Sequence, residues 1–268
     1  MLPTEQRRGF AEDGYLHIPG ALAPDVVDAM QRRVWHRLAH NGADPNDRST
    51  WSPERATNLK AIRTTDPLPA DSPVVRGILD DVFGEGAWAA PKHWGQALVT
   101  FPSTKDWTVP TRVWHLDYPY WFPPDAVWGA NLFLLVSDVA PRGGGTLVVK
   151  ASHRVIARFV SSVDGLTTKK QKVLRQQFDA HHEWFRNLTR DSRDDRIERF
   201  MGRDTDVDGI AVRVVELTGQ AGDAVLCHPW MVHAGSPNAL SEPRLMRACR
   251  VYHRAFLALR HSPEPDKS

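Results

Sequence analysis

Val113-Trp114-His115-Leu116-Asp117-Tyr118 carries a His-x-Asp pair within a run, 112–117, that is rich in β-branched and aromatic residues. Such a run reads as a strand. Residues two apart on a strand project from the same face, so the His115 imidazole and the Asp117 carboxylate converge on one point. With a distant histidine they make the two-histidine, one-carboxylate set that leaves metal positions open, the pattern of non-haem Fe(II) oxygenases. The chain has 12 histidines and 32 acidic residues, so chance alone supplies about one His-x-acid pair and the motif decides little by itself. A second pair, His181 and Glu183, falls in a helical stretch where residues two apart diverge by roughly 200°. It is a poor chelate. The plain alternative for His115 and Asp117 is a structural hydrogen-bonded pair.

Working outward, the runs 97–101, 127–139, 146–149, 210–216, 224–228 and 247–256 share this strand-like character. Turn clusters separate them, notably Pro119, Pro123-Pro124 and Pro141-Arg142-Gly143-Gly144-Gly145. Upstream the period becomes helical. Pro24 suits the first turn of a helix over 24–41, in which Val26, Met30, Val34 and Leu38 recur and which Gly42 closes. A second helix starts with Ser72 as N-cap and Pro73 behind it, and runs to Phe83 before Gly84. Residues 42–71 between them are polar and Pro-rich, and read as a loop. The charged stretch 167–201 is helical again, with Val173, Phe178, Phe185 and Leu188 on one face. Helices first, then strands with one helical insertion, predict an α+β fold, mainly β, whose core is an antiparallel barrel or jelly roll. The expected organisation is one domain over 1–268. It has a mainly helical part (1–92), a β core (93–258) with an insertion at about 162–202, and a disordered tail (261–268).

Composition narrows the function classes. The 34 basic residues nearly balance the 32 acidic ones, leaving a net charge of +2, too even to mark a nucleic-acid or membrane surface. A chain this long buries a core without disulfides. Cys227 and Cys249 sit in apolar stretches and read as buried free thiols of a reducing compartment. The first ten residues contain no apolar signal-peptide core, and no run approaches about 18 apolar residues. The expectation is a cytoplasmic protein acting on a small-molecule substrate, with no nucleic-acid or membrane partner; oligomeric state is not legible.

The distant histidine has two candidates. The stretch from Gly222 to Ser236 contains an apolar strand, then His228-Pro229 and His233-Ala234-Gly235, and Pro243-Arg244 follows. Spacing does not choose between His228 and His233, because Pro229 breaks the strand between them. An arginine returning on the next strand suits a carboxylate cosubstrate, since its planar fork offers two parallel charge-assisted hydrogen bonds.

With these elements in order, the chain resembles the phytanoyl-CoA dioxygenase family of Fe(II)/2-oxoglutarate-dependent oxygenases. The resemblance runs through the entry segment from Phe10 to Leu22 and His115-Leu116-Asp117. It continues through Gly143-Gly144-Gly145-Thr146-Leu147-Val148-Val149, Ser152-His153-Arg154, and His228-Pro229 with His233-Ala234-Gly235-Ser236. One departure is Lys150-Ala151, where the family commonly has Pro-Gly. The resemblance implies a double-stranded β-helix in which His115, Asp117 and His233 bind Fe(II), with His228 in a supporting place. Arg244, eleven residues after His233, would hold 2-oxoglutarate. It further implies oxidation of a substrate C–H bond coupled to conversion of 2-oxoglutarate and O2 to succinate and CO2. Retention of Asp117 favours hydroxylation or desaturation over halogenation, because related halogenases have a small residue there.

Other residues have weaker claims. Gln96 and Thr146 are candidates for cosubstrate contact, against plain strand polarity and propensity. Arg247 and Arg250 could substitute for Arg244, though each reads more simply as a surface or supporting charge. Tyr118, Tyr120 and Trp121 are candidates for the substrate pocket, whereas Trp114 and Trp128 read equally as core. Lys169, Lys170 and Lys172 read as a solvated helix face, and 162–202 as an element covering the substrate. Two rival functions are a non-oxidative cupin-like metalloenzyme (a hydrolase or isomerase) and an inactive small-molecule-binding module on the same fold.

Overall fold

Alternation along the strands organises this molecule, a computed structural model that describes residues 2–57, 59, 62, 72–91, 94–122, 126–165, 169–190 and 193–261. The Pro123-Pro124 break, most of 58–71 and all of the tail expected over 261–268 except His261 lie outside the described residues. Helix α1 (Thr4–Asp13) buries only Phe10, so no apolar stripe announces it in the sequence. It ends at Gly14, where φ is 85° and a Cβ would collide with His153 and Met231. Strand β1 (Tyr15–Ile18) follows. Helices α2 (Pro24–His40) and α3 (Pro73–Phe83) form where proline and capping signals place them, and the Ser72 hydroxyl accepts the Val75 N–H. The buried stripe of α2 begins at Val27 rather than Val26.

The remaining strands are β2 (Trp88–Ala89), β3 (Gln96–Thr100), β4 (Gly129–Leu135), β5 (Thr146–Lys150), β6 (Thr205–Val207), β7 (Ile210–Glu216), β8 (Ala224–Cys227), β9 (His233–Gly235) and β10 (Arg244–His253). They make two antiparallel sheets. The larger has the order β1-β8-β4-β10-β2, with β3 also paired to β10; the smaller has the order β6-β7-β5-β9. Helices α4 (Ser152–Ser162), α5 (Gln171–His181), α6 (Glu183–Arg190) and α7 (Arg196–Met201) stand between β5 and β6, and α8 (Arg254–His261) follows β10.

Period-two side chains sort into three cores. Leu132, Leu134, Leu226 and Leu245 of the larger sheet pack against Met30, Val34, Leu38 and Leu79 of α2 and α3. Leu147, Val149, Val212 and Val214 of the smaller sheet pack against Ile156, Phe178, Phe185 and Leu188 of α4–α6. Between the sheets, Phe133, Val225 and Met246 meet Val148. Cys227 and Cys249 are buried and unpaired. Among the described residues, no helix is long and apolar enough to cross a membrane.

Several expectations need correction. The sheets pack face to face, and no closed barrel of hydrogen-bonded strands forms among the described residues. The strand expected over 112–117 contracts to one antiparallel bridge between His115 and His233, because Val113 takes a left-handed φ of 66° that no strand accommodates. In the insertion, Leu174 rather than Val173 faces the core; Val173 is exposed. The last strand ends at His253 and turns directly into α8.

The Lys150-Ala151 departure acquires a physical meaning. Ala151 caps the start of α4 in a left-handed conformation, φ 60°, where a Cβ costs about 1–2 kcal/mol and glycine costs little. Its N–H is held by the Asp13 carbonyl at 2.9 Å, and Lys150 pairs with the Asp13 carboxylate at 3.2 Å. Ala151→Gly is therefore expected to stabilise the fold by about 0.5–1 kcal/mol after the entropy of the freer unfolded chain, read as a raised urea midpoint at unchanged slope.

Candidate metal centre

His233 opens β9 opposite Val148 of β5. Its backbone exchanges two hydrogen bonds with His115, at 3.0 and 3.1 Å, so the smaller sheet gains one residue of the ligand loop at its edge. The imidazole rings then lie 4.2 Å apart between centroids. The His115 Nδ1 is 2.7 Å from the Val113 carbonyl, and the His233 Nδ1 is 2.9 Å from the Met231 carbonyl. A carbonyl only accepts, so each Nδ1 carries the proton and each Nε2 keeps a free lone pair. The Asp117 Oδ2 is 3.4 Å from the His233 Nε2. One candidate ligand atom from each of the three residues falls within 4.8 Å of the others.

Electrostatics suit this arrangement. His115 is exposed at the cavity mouth, yet the protein packed around its ring, and then the charge of His233, push its pKa below the ordinary value. The neutral ligating form is favoured. Burial tends to raise the Asp117 carboxyl, but the neighbouring His233, Arg250 and His115 side chains outweigh it and hold its pKa below the usual carboxylate range. Two imidazoles and a carboxylate suit a divalent first-row ion.

The centre opens into a cavity of about 460 Å3 between the sheets. Arg244 enters it from β10. Its Nε donates to the Gly144 carbonyl at 2.8 Å and its Nη2 to the Thr100 hydroxyl at 2.7 Å. Its Nη1 is buried with no protein partner. Burial lowers the guanidinium pKa to about 10, which leaves it charged at neutral pH. A buried, charged donor aimed into a cavity calls for an anionic acceptor. Gly144 must be glycine for this contact, since φ is 81° and a Cβ would press on Asn238 and Thr100.

Gln96 and Thr146 also line the cavity. Tyr118, Tyr120 and Trp121 do not. The Tyr118 hydroxyl lies within 2.9 Å of the Ala130 and Val251 carbonyls, Tyr120 packs on Phe159 and Phe178, and Trp121 stacks on Phe122. These aromatics are packing. His228 lies away from the centre, its ring 4.6 Å from that of His153. Arg247 is buried on the opposite face of β10, donating to the Trp94 and Gly95 carbonyls. Among the described residues, none from 162–202 lines the cavity. The insertion instead braces the ligand loop from behind, where buried Arg196 donates to the carbonyls of Val109, Pro110 and Leu188. Asn131 was not anticipated; it lines the cavity with a buried, unpartnered Nδ2. Its signal in the sequence is a lone amide inside the apolar run of β4.

A model of the family described as phytanoyl-CoA dioxygenase (PhyH) matches residues 10–246. The chain belongs to the phytanoyl-CoA dioxygenase family. Its cofactor set is that of the family, Fe(II), 2-oxoglutarate and O2, and His115, Asp117 and His233 could hold the metal. The chain is similar to dioxygenase hkm4 of Aspergillus hancockii, 25% identical over 173 residues that make up 56% of this chain and 53% of the relative. The match therefore spans about half of that protein. Among solved structures it resembles the epimerase SnoN in complex with Fe3+, alpha ketoglutarate and nogalamycin RO (TM-score 0.54, 19% identity, 98% of this chain and 92% of that one). It also resembles the non-heme alpha ketoglutarate dependent carbocyclase SnoK from nogalamycin biosynthesis (TM-score 0.52, 17%, 100% and 94%). A third is AviO1 from Streptomyces viridochromogenes Tue57 (TM-score 0.52, 16%, 97% and 97%). At these identities the likeness is one of fold.

The scaffold behind His233 makes stability depend on pH. Burial pushes the His153 pKa from 6.5 down to about 4, while its Nε2 donates to the Ala11 carbonyl. Burial displaces His228 in the same direction. A histidine depressed in the folded state leaves stability intact above its unfolded pKa and removes it as pH falls toward the folded one. The apo-protein is expected to lose up to about 3 kcal/mol between pH 6.5 and 4 through His153. His153→Gln should flatten that part of the slope in urea midpoints measured against pH.

Proposed function

We propose that this chain is an Fe(II)- and 2-oxoglutarate-dependent dioxygenase that hydroxylates an unactivated C–H bond of a small organic molecule, with a natural-product intermediate as the substrate class. The observation that carries this reading is the sharing of one cavity by the His115, Asp117 and His233 donors and the buried Arg244 guanidinium with its unpartnered Nη1. When bound, iron and 2-oxoglutarate would supply the oxidising chemistry: one atom of O2 ends in succinate as CO2 is released, and the other in the hydroxyl of the product. The chain supplies orientation and a shielded site. His115 and His233 present Nε2 because their Nδ1 protons are tied to backbone carbonyls. Arg244 holds the far carboxylate of 2-oxoglutarate by charge-assisted hydrogen bonds, and Gln96, Thr146 and Asn131 offer neutral polar contacts around it.

The two antiparallel sheets are read as the faces of a double-stranded β-helix, and the chain as one catalytic domain. A cavity of about 460 Å3 falls within the size range of small-molecule sites. The natural-product setting of the SnoN and SnoK structures supports the substrate class, and retention of Asp117 supports hydroxylation.

Anaerobic titration of the apo-protein with Fe(II) and 2-oxoglutarate, followed by visible absorbance, tests the reading. A weak charge-transfer band that requires both additions is expected. It should vanish in His115→Ala and His233→Ala, and require on the order of 100-fold more 2-oxoglutarate in Arg244→Ala. Metal occupancy without any such band would move the non-oxidative metalloenzyme to the front.

A further inference from the structure

Arg250 is the one charged residue lining the cavity, among those described, that cofactor binding leaves without a task. It sits on β10 directly opposite Asn131 of β4, six residues beyond Arg244 on the same cavity-facing side. Its Nη2 donates to the Asp117 Oδ1 at 2.7 Å. The guanidinium also interacts with the Tyr252 side chain. Tyr252 itself packs on Tyr118 at 5.3 Å and stacks on Phe256 at 5.6 Å.

Asp117 needs such a tether. His115 is joined to β9 by two backbone hydrogen bonds, but Asp117 lies two residues beyond that bridge, outside every strand. Its two oxygens have separate environments: Oδ1 is taken by Arg250, and Oδ2 faces the His233 Nε2 at 3.4 Å. We propose that Arg250 is a positioning residue, holding Asp117 Oδ1 so that the carboxylate meets the metal through Oδ2 alone. This rests on the metal-centre reading above. A free carboxylate would rotate, and its second oxygen could occupy a metal position that the cosubstrate requires.

Charge and geometry predict opposite effects, which makes the idea decidable. A guanidinium beside a cation repels it, so a purely electrostatic role means that removing Arg250 tightens metal binding. A tether means that removal weakens it, as loss of a ligand's hydrogen-bond partner commonly does by 10- to 100-fold. Arg250 is half exposed, so its ion pair contributes little to folding, and the apo melting midpoint should stay within about 2 °C.

Co(II) titration of the full chain, read by calorimetry and by visible d–d absorption, separates the cases. Arg250→Met is expected to bind Co(II) on the order of 10-fold more weakly, with shifted bands. Arg250→Lys, which keeps a charged donor on a slightly shorter stem, should recover part of both. Wild-type bands in Arg250→Met, with equal or tighter affinity, overturn the tether and leave the metal centre standing. Absence of Co(II) binding by the wild-type chain removes both.

Discussion

Two backbone hydrogen bonds between His115 and His233 hold the centre together. They join an irregular loop to the edge of the smaller sheet and set two imidazole rings side by side. Everything else about the site presupposes that bridge. The Nδ1 contacts to Val113 and Met231 orient rings whose backbones are already fixed, and Asp117 follows two residues later. The loop accepts strain for this placement. Val113, β-branched and exposed, sits at a left-handed φ of 66° while its carbonyl receives the His115 Nδ1 proton. Strain of this kind persists only where the surroundings over-determine the backbone, and here the brace from Arg196 and the Trp114 bond to the Pro110 carbonyl do so.

The sheets divide their labour by side-chain parity. On β4, β5, β8 and β10, one set of alternate residues packs into helix-backed cores, and the other faces the space between the sheets. That space is apolar near Phe133, Val148 and Met246 and polar toward Arg244, Asn131 and the histidines. Polar groups buried without protein partners are costly. Two such atoms, Arg244 Nη1 and Asn131 Nδ2, line this cavity, as a site completed by a ligand requires.

Much of this was legible in the chain. The 24–41 and 72–83 helices follow from proline and capping chemistry, the strands from β-branched runs, and the His-x-Asp signal from donor chemistry, whereas the choice of His233 and the place of Arg244 follow from the family resemblance. What failed, failed for local reasons. The 112–117 run has strand composition, but one left-handed residue reduces it to a single bridge. Tyr118, Tyr120 and Trp121 lie next to the ligands in sequence, and their rings turn into the core instead. Helix α1 lacks an apolar stripe because only Phe10 is buried. Asn131 and the Arg250–Asp117 contact depend on strand pairing, which no linear pattern of one chain specifies.

Strand β10 turns Arg244, Met246, Ala248 and Arg250 toward the space between the sheets, and Leu245, Arg247, Cys249 and Val251 to the other face. A pairing slip of one residue would reverse that assignment, parting Arg250 from the Asp117 carboxylate and Arg247 from the Trp94 and Gly95 carbonyls. The alternative register breaks charged-donor contacts on both faces of the strand at once. Three arginines, divided between the two faces of one strand, thus specify the register of the sheet as well as the chemistry of the cavity.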